Sequence, residues 1–326
     1  MTPTVSVALG THNGAAYIEE QVRSILDQSV PPDEIVISDD ASTDGTVDRA
    51  RTILDGVDVR VRILRNTEAL GVSGNFEQAI LACSSEFVAL SDQDDRWHPR
   101  RIELSLAAFA ATPALQLVHG DANLIDGDGH PLGVTLFTAI ELDRRAIAAI
   151  HQGGAFDVLM RRNVVTGATA MVRRSLAVEA LPFPSAWVHD EWLAIIAAAK
   201  DAMDVVDEPL IDYRQHQSNQ IGVEKLGLLG KARRMLQPGA ERSARLLSRA
   251  TQLEERLRGM PEISVERRTA AGEKVVHERM RSALGARRSA RALPVLRELG
   301  TGRYSAFGRG ALDALRDVLQ PLTPAG

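Results

Sequence analysis

Four short apolar runs in the first ninety residues, each separated from the next by a stretch of helical spacing, constrain this chain more than any other feature. Val5-Ser6-Val7-Ala8-Leu9 predicts a buried strand that Gly10 ends, and residues 35–37, 59–64 and 87–90 predict three more. Between them Ile18, Val22, Ile25 and Leu26 recur at helical spacing until Pro31-Pro32 stops the helix. Residues 46–54 follow the turn and cap chemistry of Ser42-Thr43-Asp44-Gly45, and residues 75–83 form a third predicted helix. This alternation predicts βαβ units and a mostly parallel sheet covered on both faces.

The polar residues fall where such a sheet holds ligands. Thr11-His12-Asn13, Asp39-Asp40 and Asp92-Gln93-Asp94-Asp95 each follow the C-terminal end of a predicted strand, and open α/β sheets bind ligands outside those ends. No Gly-x-Gly-x-x-Gly follows the first strand and no Gly-x-x-x-x-Gly-Lys occurs, so dinucleotide and P-loop readings lose their usual support. Farther on, residues 115–119, 164–172, 203–206 and 210–213 predict strands, and residues 189–199 a helix with Trp192, Ile195, Ile196 and Ala199 on one face.

Beyond Glu224 only helices are predicted, with an apolar stripe of Leu246, Leu247, Ala250, Leu253 and Leu257. Charge divides at the same place. Residues 1–224 carry 17 Lys+Arg against 33 Asp+Glu, a balance of −16, and residues 225–326 carry 21 against 10, a balance of +11. We therefore expect a domain at 1–224 and a basic helical extension at 225–326. Three roles suit that extension: contact with an anionic membrane surface, docking on the acidic domain or a second copy as a homodimer element, or a solvated helical region without a partner. Nucleic acid is disfavoured, because the extension holds just two aromatics, Tyr304 and Phe307, and no binding module. The single cysteine, Cys83, rules out a disulfide framework and a Cys-based zinc cluster. No signal-peptide pattern or run of about 20 apolar residues is present, so a cytoplasmic protein, peripheral at most to the inner face of the cell membrane, is expected.

Three acids within four residues, Asp92, Asp94 and Asp95, sit directly after an apolar run. Packing like charges together is unfavourable without a cation among them, and a hard ion such as Mg²⁺ or Mn²⁺ suits carboxylate oxygen and substrate phosphate. The plainer alternative is a solvated acidic turn capping the helix that Trp97-His98-Pro99 opens. Asp39 and Asp40 after a neighbouring strand favour the site.

VSVALGTHN (5–13), DDASTDGT (39–46), NTEALGVSGN (66–75) and FVALSDQDDRW (87–97) together resemble the family 2 glycosyltransferases of the GT-A fold, in that family's order and spacing. SDQDD and His189-Asp190-Glu191-Trp192 are similar to its rhamnosyltransferase-like branch. The resemblance spans roughly residues 4–222. It implies a Rossmann-like, mainly parallel mixed sheet flanked by helices, followed here by an all-helical extension. It implies transfer of one sugar, with inversion, from a UDP- or dTDP-sugar (dTDP-L-rhamnose foremost) to a hydroxyl of a glycan, glycolipid or lipid-linked acceptor. Thr11 and Asn13 would line the nucleotide pocket with Asn75 close by, Asp39 would accept a uracil or thymine N3–H, and Asp92 would meet ribose or metal. Asp94 would hold Mg²⁺ or Mn²⁺, with His216 as a further ligand and Arg214 on the diphosphate. Asp190 would be the general base and Glu191 its alternative. Gly167 would lie in the acceptor-side loop, and Trp192 would stack on a sugar or sit in the core. His12 stands where the family usually has an aromatic, and the Gln-x-x-Arg-Trp pattern of processive synthases is absent. Rival readings are a nucleotidyltransferase, a sugar-nucleotide hydrolase, or a non-catalytic nucleotide-binding scaffold.

Overall fold

The structure is a computed structural model and describes residues 2–216 and 240–321. The expected 224/225 boundary and residues 217–219 of the segment after Tyr213 lie outside the described residues. Strand β1 (Val5–Thr11) runs between two parallel partners, β2 (Glu34–Asp39) and β4 (Phe87–Ser91). That central place explains its composition: both faces are covered, so Val5, Val7, Ala8 and Leu9 are all buried. At the edge, β3 (Arg60–Arg65) pairs with β2 and does alternate, with Val61 and Ile63 packed on the core while Arg60, Arg62 and Arg65 are exposed.

Helices α1 (Ile18–Leu26), α2 (Thr46–Leu54) and α3 (Gly71–Ala82) connect these strands. The third begins four residues earlier than its apolar spacing predicts. Asp40 is the cause: its carboxylate accepts the N–H groups of Leu70 (2.6 Å) and Gly71 (3.0 Å), satisfying donors that a helix start leaves open.

Past β4 the sheet becomes mixed. Its order is β3-β2-β1-β4-β8-β6-β9-β5, where β5 is Arg96–Trp97, β6 Leu117–Ile125, β8 Met171–Arg173 and β9 Met203–Arg214, and β7 (Pro131–Thr135) pairs with β6. β8 is antiparallel to both β4 and β6, whereas β6 and β9 are parallel. Two predicted strands at 203–206 and 210–213 are thus one, and register shifts opposite Gly120–Ala122 absorb the interruption around Pro209. Of the predicted strand at 164–172, only its end enters the sheet. Gly167–Thr169 form a single tight helical turn instead. Helix α4 (Arg101–Ala111) follows β5, and α5 (Leu136–Ala139), α6 (Arg144–Ala149), α7 (Ala155–Arg161), α8 (Arg174–Glu179) and α9 (His189–Ala199) complete this part of the chain.

Two compact units result, one of residues 1–155 and 164–223, the other of residues 156–163 and 224–326. The second contains α10 (Ala240–Arg258), α11 (Val265–Ser282), α12 (Arg288–Gly300), α13 (Arg303–Phe307) and α14 (Ala311–Leu319). Ala250, Leu253 and Leu257 of the expected apolar stripe are buried. Among the described residues no helix is long and apolar enough to cross a membrane.

Candidate active site

β1, β2 and β4 end at one edge of the sheet, with Thr11 opposite Asp39 and Leu9 opposite Ser91. Their loops therefore share a rim. Thr11 Oγ1 donates to Asp39 Oδ1 (2.8 Å), and Asp39 Oδ2 accepts the Ser42 N–H (3.0 Å). Asn75 bridges the same ends, donating to Ser38 O (2.8 Å) and accepting from Ser38 Oγ (2.6 Å). Asn13 and Ala41, the residues that carry the chain off β1 and β2, are left-handed at φ 48° and 61°, conformations that strain residues with a Cβ and gather at ligand loops. Asn13 Oδ1 accepts the Thr43 N–H (2.9 Å), tying the loops together.

Thr11, Asp39 and Asn75 are thus brought together as expected, but they face inward. Asp39 is 0% exposed, so a base N3–H does not reach it in this arrangement. Gln93 works beside them. Its amide clamps His12 by accepting from N–H and donating to C=O, both at 2.8 Å. It lies so close over Gly14 that a Cβ there would fall 2.1 Å from Gln93 Oε1.

The acid cluster after β4 is electrostatically uncomfortable. Burial, then the carboxylates of Asp94 and Asp190, push the Asp92 pKa up to about 7, against the opposing pull of Arg101. Asp95 is raised too, by burial and by Asp94 and Asp92. Its Oδ1 accepts the Arg214 N–H (3.0 Å), and its buried Oδ2 has no hydrogen-bond partner. The counter-charge within the protein is Arg101, fully buried beneath the cluster, with its guanidinium 3.5 Å from the Trp97 ring centroid and donating to Leu90 O (2.8 Å). Burial lowers its pKa to about 9, opposed by Asp95 and Asp92.

Asp190 belongs to the same neighbourhood, since its charge is felt at Asp92 and at Tyr213. It stands in the first turn of α9, where the helix dipole favours a carboxylate. Its Oδ2 accepts the Gly167 N–H and its Oδ1 the Glu191 N–H, both at 2.7 Å. Gly167 suits this close contact: a Cβ would lie 3.1 Å from both Asp190 Cβ and His189 Nε2, tight enough to shift them by a few tenths of an ångström. His189 is buried against Phe76 (centroids 4.0 Å apart), and burial lowers its pKa to about 3. Glu191 is half-buried next to Asp190. The stacking role for Trp192 is corrected: it is 1% exposed, donates Nε1–H to Ala180 O (2.9 Å) and packs on Trp187, so it is core.

From β9, Arg214 and the residue after next reach Asp94. His216 Nε2 lies 2.7 Å from Asp94 Oδ2, and the His216 ring stacks on Tyr17. Arg214, expected on a diphosphate, is 2% exposed. Its guanidinium donates to Asp94 O (2.7 Å), Gly127 O (3.1 Å) and Glu20 Oε2 (2.5 Å). In this arrangement it is a strut beneath the site. Glu20 also pairs with Arg96, which pairs with Asp212, itself 2.8 Å from His98 Nε2.

Among the described residues, three donor atoms come within 4.8 Å of one another at Asp126, Asp128 and His130, on the turn between β6 and β7. Asp94 and His216 supply two donors, not three. The strand-end cluster nonetheless fits a hard divalent cation, with its carboxylate oxygens, an unsatisfied buried Asp95 Oδ2 and like-charge repulsion that a cation relieves. Sequence reasoning missed Arg101, Gln93 and the Glu20–Arg96–Asp212–His98 chain. Only Arg101 left a trace, a cation in the first turn of a helix, where the dipole disfavours it.

The family model for glycosyl transferase family 2 matches residues 6–175, more than half of the chain. The dTDP-rhamnosyl transferase RfbG of Shigella flexneri is 26% identical over 230 residues, covering 66% of this chain and 73% of its own. TuaG of Bacillus subtilis (strain 168), a glycosyltransferase named for teichuronic acid biosynthesis, is 26% identical over 215 residues, 65% of this chain and 79% of its own. Among solved structures, the mannosyltransferase PcManGT of Pyrobaculum calidifontis, in complex with GDP-Man and Mn²⁺, matches 97% of this chain and 79% of its own at TM-score 0.53 and 19% identity, a likeness of fold. With strand order, strand-end acids and family match in agreement, the chain belongs to glycosyltransferase family 2 and is a glycosyltransferase of GT-A architecture followed by C-terminal helices.

Proposed function

We propose that the chain transfers a single sugar, with inversion and dependence on Mg²⁺ or Mn²⁺, from a UDP- or dTDP-sugar to a hydroxyl of a glycan, glycolipid or lipid-linked acceptor on the cytoplasmic side. The dTDP-L-rhamnose donor is favoured by the similarity to RfbG, whose name carries that substrate class. One observation carries the reading: Asp190 comes from a separate helix, yet lies close enough to the strand-end acids to raise the Asp92 pKa.

Inversion by direct displacement needs one base on the side from which the acceptor attacks. Asp190 suits the task because two backbone N–H groups at a helix N-terminus hold its carboxylate oriented. An acceptor hydroxyl bound there loses its proton to Asp190 as its oxygen bonds to the anomeric carbon, and the bond to the nucleoside diphosphate breaks. Asp94, with Asp92 and His216, would hold the divalent cation, and Asn13 and the loop braced by Asp39 would wall the nucleotide. When bound, the cation neutralises the charge that gathers on the departing diphosphate. Arg101 and Arg214 keep the acids in place from below.

The test is incubation with a panel of nucleotide sugars and acceptors, with and without Mn²⁺. Nucleoside diphosphate release should require both acceptor and metal, and NMR of the product should show an inverted anomeric centre. Free sugar released without acceptor would make the protein a hydrolase. Metal-independent transfer would remove the assignment of Asp94.

A further inference from the structure

The helical unit is built with charge inside and leucine outside. Arg281 and Asp317, both almost fully buried, form a two-point ion pair (2.6 and 3.1 Å), and Tyr304 donates its hydroxyl to Asp317 (2.8 Å). Glu278, His277, Glu298 and Arg291 are buried around them. Part of the outward surface is apolar instead. α12 and α14 pack through Val295, Leu299, Ala314 and Val318, and each leaves a leucine row outside that cluster. On α12 these are Leu293 and Leu296, 57% and 63% exposed. On α14 they are Leu312, Leu315 and Leu319, 60%, 51% and 44% exposed. The spacing of three and four residues keeps each row on one face of its helix. A helix surrounded by water alone shows the reverse polarity.

Charge on the same segment points to the occupant. Across described residues 283–321 every exposed charged side chain is an arginine, namely Arg287, Arg288, Arg297 and Arg309. Glu298 and Asp317 are buried in pairs and Asp313 is half-buried. Leucine rows flanked by arginine match an interface that is apolar within and negative at its rim, which describes an anionic bilayer surface. A second copy presenting the same face would set arginine against arginine.

We propose that the outer faces of α12 and α14 form a docking surface for an anionic lipid bilayer, with Leu293, Leu296, Leu312, Leu315 and Leu319 entering the headgroup boundary and the arginines engaging lipid phosphate. This surface is independent of the catalytic reading and stands whichever donor the enzyme uses. The experiment is flotation of the full chain with vesicles of phosphatidylglycerol and phosphatidylcholine mixed, against phosphatidylcholine alone, at low and high salt. Binding is expected to the anionic vesicles, weakened by salt. Leu296→Ser with Leu315→Ser should lower partitioning about tenfold or more. Arg287→Gln, Arg288→Gln and Arg297→Gln should each lower it about fivefold. These positions are exposed, so thermal unfolding and turnover of a water-soluble acceptor should be unchanged, which separates this test from failure of the proposed chemistry. Absence of flotation by the folded chain at low salt overturns the proposal. So does a dimer in sedimentation velocity that the leucine variants dissolve without any vesicle binding, which would assign the face to a second copy.

Discussion

In the first unit Asp92, Asp94, Asp95 and Asp190 gather charge of one sign outside the strand ends, with Arg101 and Arg214 beneath them, and the result is carboxylates pushed up in pKa and a buried oxygen without a partner. In the second unit buried charges alternate in sign, and the Arg281 guanidinium is raised because Asp317 and Glu278 outweigh the effect of its burial. Burial is severe in both places, so burial alone does not distinguish them. The sign of the neighbours does. Like charges held together store unfavourable energy that a ligand of opposite sign relieves, whereas paired opposite charges offset one another and act as a scaffold.

The largest way to break this contrast is at the proposed base. Asp190→Asn should lower acceptor-dependent donor turnover by about 10²–10⁴-fold with little change in unfolding midpoint, because in the first unit we propose that charge serves chemistry. Arg281→Ala should do the opposite, leaving Asp317 buried and unpaired. Urea unfolding should then show a loss of about 3–5 kcal/mol, and Arg281→Met combined with Asp317→Leu should recover most of it. A third comparison adds the missing sign to the acid cluster. At about 100 times its Kd, Mn²⁺ should stabilise the protein by about 2.7 kcal/mol, a chelator should reverse this, and Asp94→Ala should abolish it. If Arg281→Ala abolished it instead, the two roles would have to be exchanged.

Smaller changes sharpen the picture. Gly167→Ala places a Cβ 3.1 Å from Asp190 Cβ, and the displaced base should lower kcat about tenfold while donor binding by calorimetry is retained. The smallest effect belongs to His98. The hydrogen bond to Asp212 raises its pKa, with burial opposing. Its contribution to stability is thus fully present below about pH 6.5 and disappears as pH rises through the elevated folded value. Denaturation at pH 6 and pH 9 should show that loss in the wild type and not in His98→Asn.

Much of the first unit is visible in the sequence because β1, β2 and β4 are buried on both faces, and a strand in that position has no choice but a continuous apolar run. The acids are visible for the complementary reason: three carboxylates directly after such a run repel one another, which is unfavourable without a cation among them. Residues 136–161 gave no such signal, since their helices are too short to show a period. The antiparallel entry of β8 was equally hidden, because three residues beside a tight turn carry no period. In the helical unit the rule that apolar residues face inward holds for Ala250, Leu253 and Leu257 and fails for the exposed leucine rows of α12 and α14, where partners distant in sequence decide which face is covered.

By itself the sequence determined the alternating α/β plan, the gathering of polar residues and acids at the strand ends and the basic helical extension, all of which rest on local periodicity and on the chemistry of neighbouring residues. Only the tertiary structure decided that Asp190 joins Asp92, that Gly167 yields its N–H to that carboxylate, that Arg101 lies beneath the acids and Trp192 in the core, and that the leucines of α12 and α14 face outward. Each of those is a meeting of residues separated along the chain, and long-range packing, not local preference, fixes which of them touch.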